Sequence, residues 1–159
     1  MNIASFGKVS EAQYAGQTKT LRDPLPLSEI TLPRRATTGS AGYDFTCPAT
    51  ITLAPGESIT IPTGIRVRMV PGWVLMIFPR SSLGFRSGLR LANTVGVIDS
   101  DYWYAENEGH ILVRVCNGGS GPVTLNRGDR FCQGVFLPYG TAEEEEVAAL
   151  RTGGFGSTN

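Results

Sequence analysis

The sequence predicts an all-β fold, a sandwich or jelly roll made of short strands. It contains 20 glycines and 10 prolines among 159 residues, and from Glu29 onward these residues recur at regular spacing as turn signals. The segments between them are rich in Val, Ile and Thr, which favour strands. Strands that repeat about every 8–12 residues are typical of these two architectures. The length suits a single domain, and the sequence has no internal repeat.

Individual strands can be assigned in chain order, and their spacing implies eight or more in total. Most assigned segments alternate apolar and polar residues and end at a Pro or Gly, as half-buried strands do. Trp73–Phe78 is instead a continuous apolar run, which predicts a strand buried on both faces. The assigned segments are residues 49–53, 57–61, 65–69, 73–78, 111–116, 122–125 and 131–137.

The two ends of the chain depart from this pattern. The N-terminal segment is mixed and polar and stops at Asp23–Pro26, which predicts an extension or an added edge segment of unknown role. Near the other end, Thr141 and Glu144 fit a capping box, so residues 142–151 form either a short helix or a solvated acidic linker. We therefore divide the chain into residues 1–28, 29–140 and 141–159.

Composition excludes several classes of protein. No apolar run is long enough for a transmembrane helix, and the N-terminus lacks the features of a signal peptide. Cys47, Cys116 and Cys132 show no metal-binding spacing with His110, so we expect reduced thiols in the cytoplasm. The formal net charge of zero argues against a broad nucleic-acid-binding face. Of the 14 basic residues 12 are Arg, which suits a small phosphorylated ligand, although compositional bias would give the same count.

Five glycine-containing segments each hold a cluster of polar side chains. Taken singly, each has an ordinary interpretation as a surface turn, a loop cap or a disordered end. If Ser81 or Ser82 caps a short helix, its free N–H groups and Arg80 would form an anion site. The five segments are residues 39–45, 79–84, 96–102, 127–133 and 151–159.

Taken together and in this order, the five segments closely resemble the five motifs of the trimeric dUTPases, the deoxyuridine triphosphate nucleotidohydrolases. The resemblance extends from Leu32 to Asn159. It implies a distorted jelly-roll sandwich or barrel that assembles as a homotrimer. It also implies that each site combines motifs from more than one subunit and that a flexible C-terminal tail closes over the nucleotide. The expected activity is hydrolysis of dUTP to dUMP and pyrophosphate by attack of water at the α-phosphate, which keeps uracil out of DNA.

The resemblance also implies roles for particular residues. Asp99 matches the carboxylate that activates the attacking water, and Tyr102 matches the ring that packs beneath the deoxyribose and excludes a 2′-hydroxyl. Asp44 matches an aspartate that supports the phosphate and magnesium end of the site indirectly, through water or phosphate. The remaining expected substrate contacts are Asn93, Gly96, Val97 and Ile98 at the uracil, Arg80, Ser81, Ser82 and Gln133 at the phosphates, and Arg151, Phe155, Gly156 and Ser157 in the tail.

The expected cofactor is Mg²⁺, held mainly by substrate phosphates and waters, because Mg²⁺ prefers oxygen ligands and keeps several waters. Two features depart from the family pattern: the residues before position 29, and a longer loop at residues 103–109 that is a candidate contact for a regulatory protein. Asn159 also stands where the family often has Gly. Three alternatives stay open at this point: a dCTP deaminase of the same fold, a dUTPase-like protein that also binds a regulatory protein, and a jelly-roll lectin or capsid module.

Overall fold

The computed structural model describes residues 2–143 and residue 153. Short strands dominate, as the sequence predicts. The strands are β1 (Ala4–Lys8), β2 (Arg34–Arg35), β3 (Tyr43–Thr46), β4 (Ile51–Leu53), β5 (Ser58–Pro62), β6 (Ile65–Met69), β7 (Trp73–Pro79), β8 (Leu89–Leu91), β9 (Gly96–Ile98), β10 (Leu112–Asn117), β11 (Val123–Leu125) and β12 (Arg130–Pro138). The helices are α1 (Glu11–Thr18) and α2 (Ser81–Ser87), with 3₁₀ turns at Leu27–Glu29 and Ser100–Tyr104.

All seven strands assigned from the sequence are present, with boundaries that agree to within two residues. They belong to β4, β5, β6, β7, β10, β11 and β12. The alternating pattern succeeds best in β4, β6 and β11, which place every second side chain in the core. In β6, for example, Ile65, Val67 and Met69 are buried, whereas Arg66 and Arg68 are not.

The strands pair in four antiparallel sheets, and the largest has the order β2-β3-β12-β7-β9. The others are the three-stranded sheet β5-β10-β8 and the pairs β1-β6 and β11-β4. The long strand β12 therefore lies between β3 and β7, and β7 lies between β12 and β9. β7 and β9 are therefore neighbouring antiparallel strands, and the segments that follow them begin at opposite ends of this pair.

The prediction that Trp73–Phe78 is buried on both faces is wrong for the single chain. Leu75 and Ile77 of β7 are fully buried, but Val74 and Met76, which alternate with them, are only half-buried. The reason is that β7 belongs to an antiparallel sheet, which packs one face on the core and leaves the other partly open. The core side chains that contact one another include Phe45, Ile61, Ile65, Leu75, Ile77, Leu125 and Phe131.

The N-terminal segment packs against this core. Strand β1 pairs antiparallel with β6, from Ala4 opposite Met69 to Lys8 opposite Ile65. Helix α1 begins after Ser10, whose hydroxyl accepts a hydrogen bond from the Gln13 amide at 3.2 Å. The Tyr14 ring of α1 is buried, and its hydroxyl donates to the Leu25 carbonyl at 2.9 Å.

Neither helix of residues 2–143 is long and apolar enough to span a membrane. The choice between a helix and a linker at 142–151 falls largely on residues 144–152, which lie outside the described residues. The predicted tail contacts Arg151, Phe155, Gly156 and Ser157 also lie outside them.

Candidate active site

One end of the candidate site lies where β7 ends and α2 begins. Arg80 has an extended backbone (φ −74°, ψ 135°) and its carbonyl accepts from the amides of Leu83 and Gly84 at 3.1 and 3.2 Å. Ser81 and Ser82 are exposed residues of the first turn. The short helix is therefore present, but the condition set for the anion site is not met, because neither Ser81 nor Ser82 is the capping residue. Arg80 occupies the capping position because its extended backbone is the one that a helix start requires.

The Asp44 carboxylate joins two guanidinium groups at this end. Its two oxygens lie 3.3 Å from Arg80 Nε and 3.2 Å from Arg130 Nη1. The Asp44 side chain is only 11% exposed, whereas the two Arg side chains are more accessible to solvent. A buried carboxylate that is paired in this way fixes two cationic groups near each other at the protein surface. Such a pair can bind an anion with several negative charges.

Gln133 lies beside this cluster because of strand register. On β12 it stands opposite Asp44 of β3 and opposite Phe78 of β7. Its amide donates to the Pro79 carbonyl at 3.4 Å, immediately before Arg80. The structure thus brings together three residues predicted from the sequence, Asp44, Arg80 and Gln133.

A second group of predicted residues lies in the segment from β8 to β9 (residues 89–98), the β8–β9 segment, whose two strands belong to different sheets. Asn93, Gly96, Val97 and Ile98 line a cavity of about 520 Å³ between this segment and β10. Gly96 stands opposite Ile77 of β7, and a Cβ there would lie 3.1 Å from the Ile77 Cβ. A side chain at position 96 would therefore push β9 away from β7. The lining of the cavity is largely apolar.

Asp99 follows β9 directly and is exposed. Its carbonyl accepts from the Tyr102 amide at 3.2 Å and so begins the 3₁₀ turn Ser100–Tyr104. The Tyr102 side chain is 3% exposed, and its hydroxyl donates to the His110 carbonyl at 2.9 Å. The turn therefore presents a carboxylate at the surface next to an aromatic ring held in a fixed position.

The longer loop at residues 103–109 packs against the rest of the chain. The Arg66 guanidinium stacks 3.5 Å from the centre of the Trp103 ring and donates to the Trp103 carbonyl at 2.7 Å. The Glu108 carboxylate accepts from the Ser10 amide at 2.7 Å and from its hydroxyl at 2.6 Å. These hydrogen bonds from Ser10 hold the pKa of Glu108 below its usual value. The N-terminal segment and the longer loop thus support each other.

His110 ends this loop in a fully buried position. Its Nε2 accepts from the Gly64 amide at 2.9 Å, and the Gln13 side-chain amide lies 3.4 Å from its Nδ1. Burial, partly offset by the charge of Glu108, lowers the pKa of His110 from 6.5 to about 4. The neutral ring is therefore part of the contact between the loop and helix α1.

We expect this histidine to make the fold sensitive to acid. The unfolded chain takes up a proton at His110 near pH 6.5, whereas the folded chain resists it down to about pH 4. Its contribution to the free energy of unfolding is complete above pH 6.5 and falls by roughly 1.4 kcal/mol per pH unit between those values. Urea unfolding of the wild type and of His110→Gln between pH 7.5 and 4.5 checks this. Parallel curves for the two proteins would contradict it.

The comparisons with known proteins agree with one another. The family model described as dUTPase matches residues 28–159. The chain belongs to the dUTPase family. It is 45% identical over 161 residues to the deoxyuridine 5′-triphosphate nucleotidohydrolase of Lactococcus lactis, with 99% of each chain covered. It is also similar to the crystal structure of a dUTPase from Streptococcus mutans, with 35% identity, a TM-score of 0.69, and coverage of 87% of this chain and 98% of that one.

The dUTPase fold extends to more distant proteins. A mutant dUTPase from phage phi11 of S. aureus, whose structure describes the coordination of a structural Mg(II) ion, has a TM-score of 0.67 at 21% identity and covers 93% of this chain and 98% of that one. The prediction of an all-β jelly-roll fold is therefore confirmed. The match to the Lactococcus lactis dUTPase runs through nearly the whole of both chains, so it extends beyond the family model into the N-terminal segment.

Some residues of this dUTPase-family site were not found by sequence reasoning. Arg130 lies within a recognised motif segment, but only the structure shows that it shares Asp44 with Arg80. The sequence placed Asn107 only in the longer loop and considered His110 only as a metal ligand, whereas the Tyr102 hydroxyl bonds to the Asn107 side chain and to the His110 carbonyl. No local pattern reveals these contacts, because each depends on how the loop folds back on itself.

Proposed function

We propose that this chain hydrolyses dUTP to dUMP and pyrophosphate by attack of water on the α-phosphate. The observation that carries the proposal is the course of the chain from β8 to Tyr102. The β8–β9 segment, which lines the cavity, is followed directly by the exposed carboxylate of Asp99 and by the buried ring of Tyr102. Membership of the dUTPase family supports the same substrate and reaction.

The β8–β9 segment is proposed to bind the uracil. Asn93 and the backbone of Gly96, Val97 and Ile98 would pair with the edge of the base. A narrow cavity rejects thymine because the extra methyl group would clash, and it rejects bases that leave its polar groups unpaired. Tyr102 would pack beneath the deoxyribose, where its ring leaves no room for a 2′-hydroxyl.

The phosphates are proposed to bind at the Arg80 end. Arg80 supplies a cation, and Ser81, Ser82 and Gln133 supply hydrogen bonds. Asp44 acts indirectly, because both of its oxygens already pair with Arg80 and Arg130. We add Arg130 to this group, since the shared carboxylate holds it beside Arg80. These charges offset the negative charge that builds up on the phosphates in the transition state.

Mg²⁺ fits this site as a partner of the substrate. Within residues 2–143 and 153, no three carboxylate, imidazole or thiol groups come close enough to hold a metal ion. The pairing of Asp44 with two guanidinium groups is consistent with an ion held mainly by phosphate oxygens and waters, with Asp44 acting through them. When bound, Mg²⁺ would neutralise phosphate charge. The structural Mg(II) ion described for the phage phi11 dUTPase supports the use of this metal in the family.

Asp99 is proposed to act as the general base. A carboxylate accepts the proton of the attacking water and orients that water towards phosphorus. Its exposure at the end of β9 allows a water and a phosphate to reach it.

The tail residues Arg151, Phe155, Gly156 and Ser157 stay a prediction: they would cover the bound nucleotide and exclude other water.

We infer that the active form is a homotrimer whose sites lie between chains. Ile98 of β9 stands opposite Leu75 of β7, so Asp99 lies level with Val74. Arg80 follows the other end of β7, six residues further on, which corresponds to roughly 20 Å of strand. Asp99 and Arg80 of one chain therefore lie at opposite ends of the same strand. A site that needs both residues is better assembled from two neighbouring chains.

Two further expectations are part of this proposal. Cys47 and Cys132 are buried free thiols, and burial raises the pKa of Cys47 to about 11, which suits the reducing cytoplasm.

In the loop at residues 103–109, Tyr104 is 69% exposed and is the side chain best placed to contact a regulatory protein. Trp103 and Glu108 of the same loop instead contact Arg66 and Ser10 of this chain.

A panel of nucleotides tests the proposed activity. We expect the purified protein with Mg²⁺ to release pyrophosphate from dUTP at least about 100-fold faster, in kcat/KM, than from dTTP, dCTP or UTP. The thymine methyl and the ribose 2′-hydroxyl would clash with the site, and cytosine would leave polar groups of the cavity unpaired. Ammonia release from dCTP would instead show the deaminase. Equal turnover of dUTP and dTTP would contradict the proposed role of the β8–β9 segment.

A further inference from the structure

We propose that Asn107 is a positioning residue that holds the Tyr102 ring and thereby sets the preference for deoxyribose over ribose. This inference rests on the proposed function, in which Tyr102 packs beneath the sugar. It assigns a task to the loop at residues 103–109, which is longer than the family pattern.

The Tyr102 hydroxyl makes two hydrogen bonds with this loop and its end. It donates to the His110 carbonyl at 2.9 Å, and the Asn107 Nδ2 donates to it at 2.7 Å. A buried hydroxyl that loses a partner has a desolvation cost, so its ring tends to move towards another partner or towards water. The amide of Asn107 therefore holds the ring in place.

Asn107 is itself held by the turn that follows it. Its Oδ1 accepts from the Gly109 amide at 3.2 Å, and its carbonyl accepts from the His110 amide at 3.0 Å. Gly109 has φ +70°, and a Cβ at this position would lie 2.7 Å from the Tyr102 carbonyl oxygen. Only a glycine allows this turn to approach the Tyr102 backbone so closely. The amide group of Asn107 thus reaches the hydroxyl from a defined backbone position.

The ring position decides whether a 2′-hydroxyl fits, because Tyr102 is expected to reject ribose by occupying its space. If the ring can move by a fraction of an ångström, it excludes the 2′-hydroxyl less strictly but still contacts the deoxyribose. Loss of Asn107 should therefore affect UTP and dUTP differently. A residue that only stabilises the loop would change the activity on both nucleotides alike.

The experiment compares kcat/KM for dUTP and UTP in the wild type, Asn107→Ala and Asn107→Leu. We expect the dUTP-to-UTP ratio to fall roughly three- to tenfold in both variants, the range that one neutral hydrogen bond provides. Leu has the same branching and the same number of heavy side-chain atoms as Asn, so it removes the hydrogen bond without leaving a cavity and offers a second variant if Ala folds poorly. A ratio unchanged in a folded variant would overturn the inference.

Ser10→Ala is the matched control. It removes the hydroxyl that binds Glu108 and caps α1, so it loosens the same loop without contacting Tyr102. We expect it to lower Tm and leave the dUTP-to-UTP ratio unchanged. A fall in the ratio equal to that of Asn107→Ala would show that general loosening of the loop is responsible, and would overturn the specific role of Asn107.

A double-mutant cycle with Tyr102→Phe completes the test. In that background the hydroxyl is absent, so Asn107→Ala should cause no further change in the ratio. A full additional effect would overturn the inference, because Asn107 would then act by another route. Tyr102→Ala separates this failure from a failure of the proposed function. If that variant keeps the wild-type ratio while dUTP is still hydrolysed, Tyr102 does not select the sugar at all.

Discussion

Replacing Asp99 by Asn should lower kcat for dUTP by about 10²–10⁴, the contribution of a positioned general base. An amide of the same size cannot accept a proton from the attacking water. The backbone role of Asp99, whose carbonyl accepts from the Tyr102 amide, does not depend on the side chain. We therefore expect the variant to fold, to keep its Tm within a few degrees, and to bind a non-hydrolysable dUTP analogue with near-normal affinity.

Asp101→Asn is the control for this substitution. Asp101 is also exposed and lies in the same 3₁₀ turn, so its replacement removes an equal charge from the same part of the surface. We expect its kcat to stay within a few fold of the wild type. If Asp99→Asn kept near-normal kcat, the general base would have to be another group. If both variants lost activity equally, the turn as a whole would be responsible.

The strands could be predicted because their signals are local. In β4, β6 and β11 the alternation of apolar and polar side chains coincides with the alternation of buried and exposed positions. Helix α1 was missed because only two of its residues, Tyr14 and Thr18, are buried, so it shows little apolar periodicity. Its start did carry a signal. Ser10 and Gln13 have the spacing of a capping box, and the Ser10 hydroxyl accepts from the Gln13 amide.

The candidate site was predictable only in part, because some of its contacts join residues that are far apart in the sequence. The order of the five motifs identified Asp44, Arg80 and Gln133, and the structure places them together through strand register. The contacts of the longer loop join residues far apart in sequence. Ser10 and Glu108 are separated by 98 positions, and nothing local to either residue predicts their hydrogen bonds. The link between the N-terminal segment and the loop therefore required the structure.

Mixing Arg80→Ala chains with Asp99→Asn chains should restore activity that neither protein has alone. Each homotrimer lacks one group in every site. If neighbouring chains supply Arg80 and Asp99, random co-assembly of equal amounts gives both intact groups to about a quarter of the sites. The two variants are denatured, mixed and refolded together, and dUTP turnover is compared with that of each variant refolded alone.

A chain that carries both substitutions is the control, because mixing it with either single variant leaves no site with both groups. Those mixtures should stay at background. Co-assembly is verified by pulling down one tagged chain and detecting the other. If verified mixed trimers of the two single variants also stayed at background, Asp99 and Arg80 would have to serve one site from one chain.

The register of β9 on β7 argues against a site in which one chain supplies both Asp99 and Arg80. Ile98 pairs with Leu75 and Gly96 with Ile77, so β9 runs away from the end of β7 that Arg80 follows. A single chain would have to bring the two groups together across roughly 20 Å of strand. Extending the Arg80 side chain does not close this gap, because Asp44 holds its Nε at 3.3 Å beside β3. A second chain removes the conflict, since its Asp99 can approach the Arg80 end while both sheets keep their register.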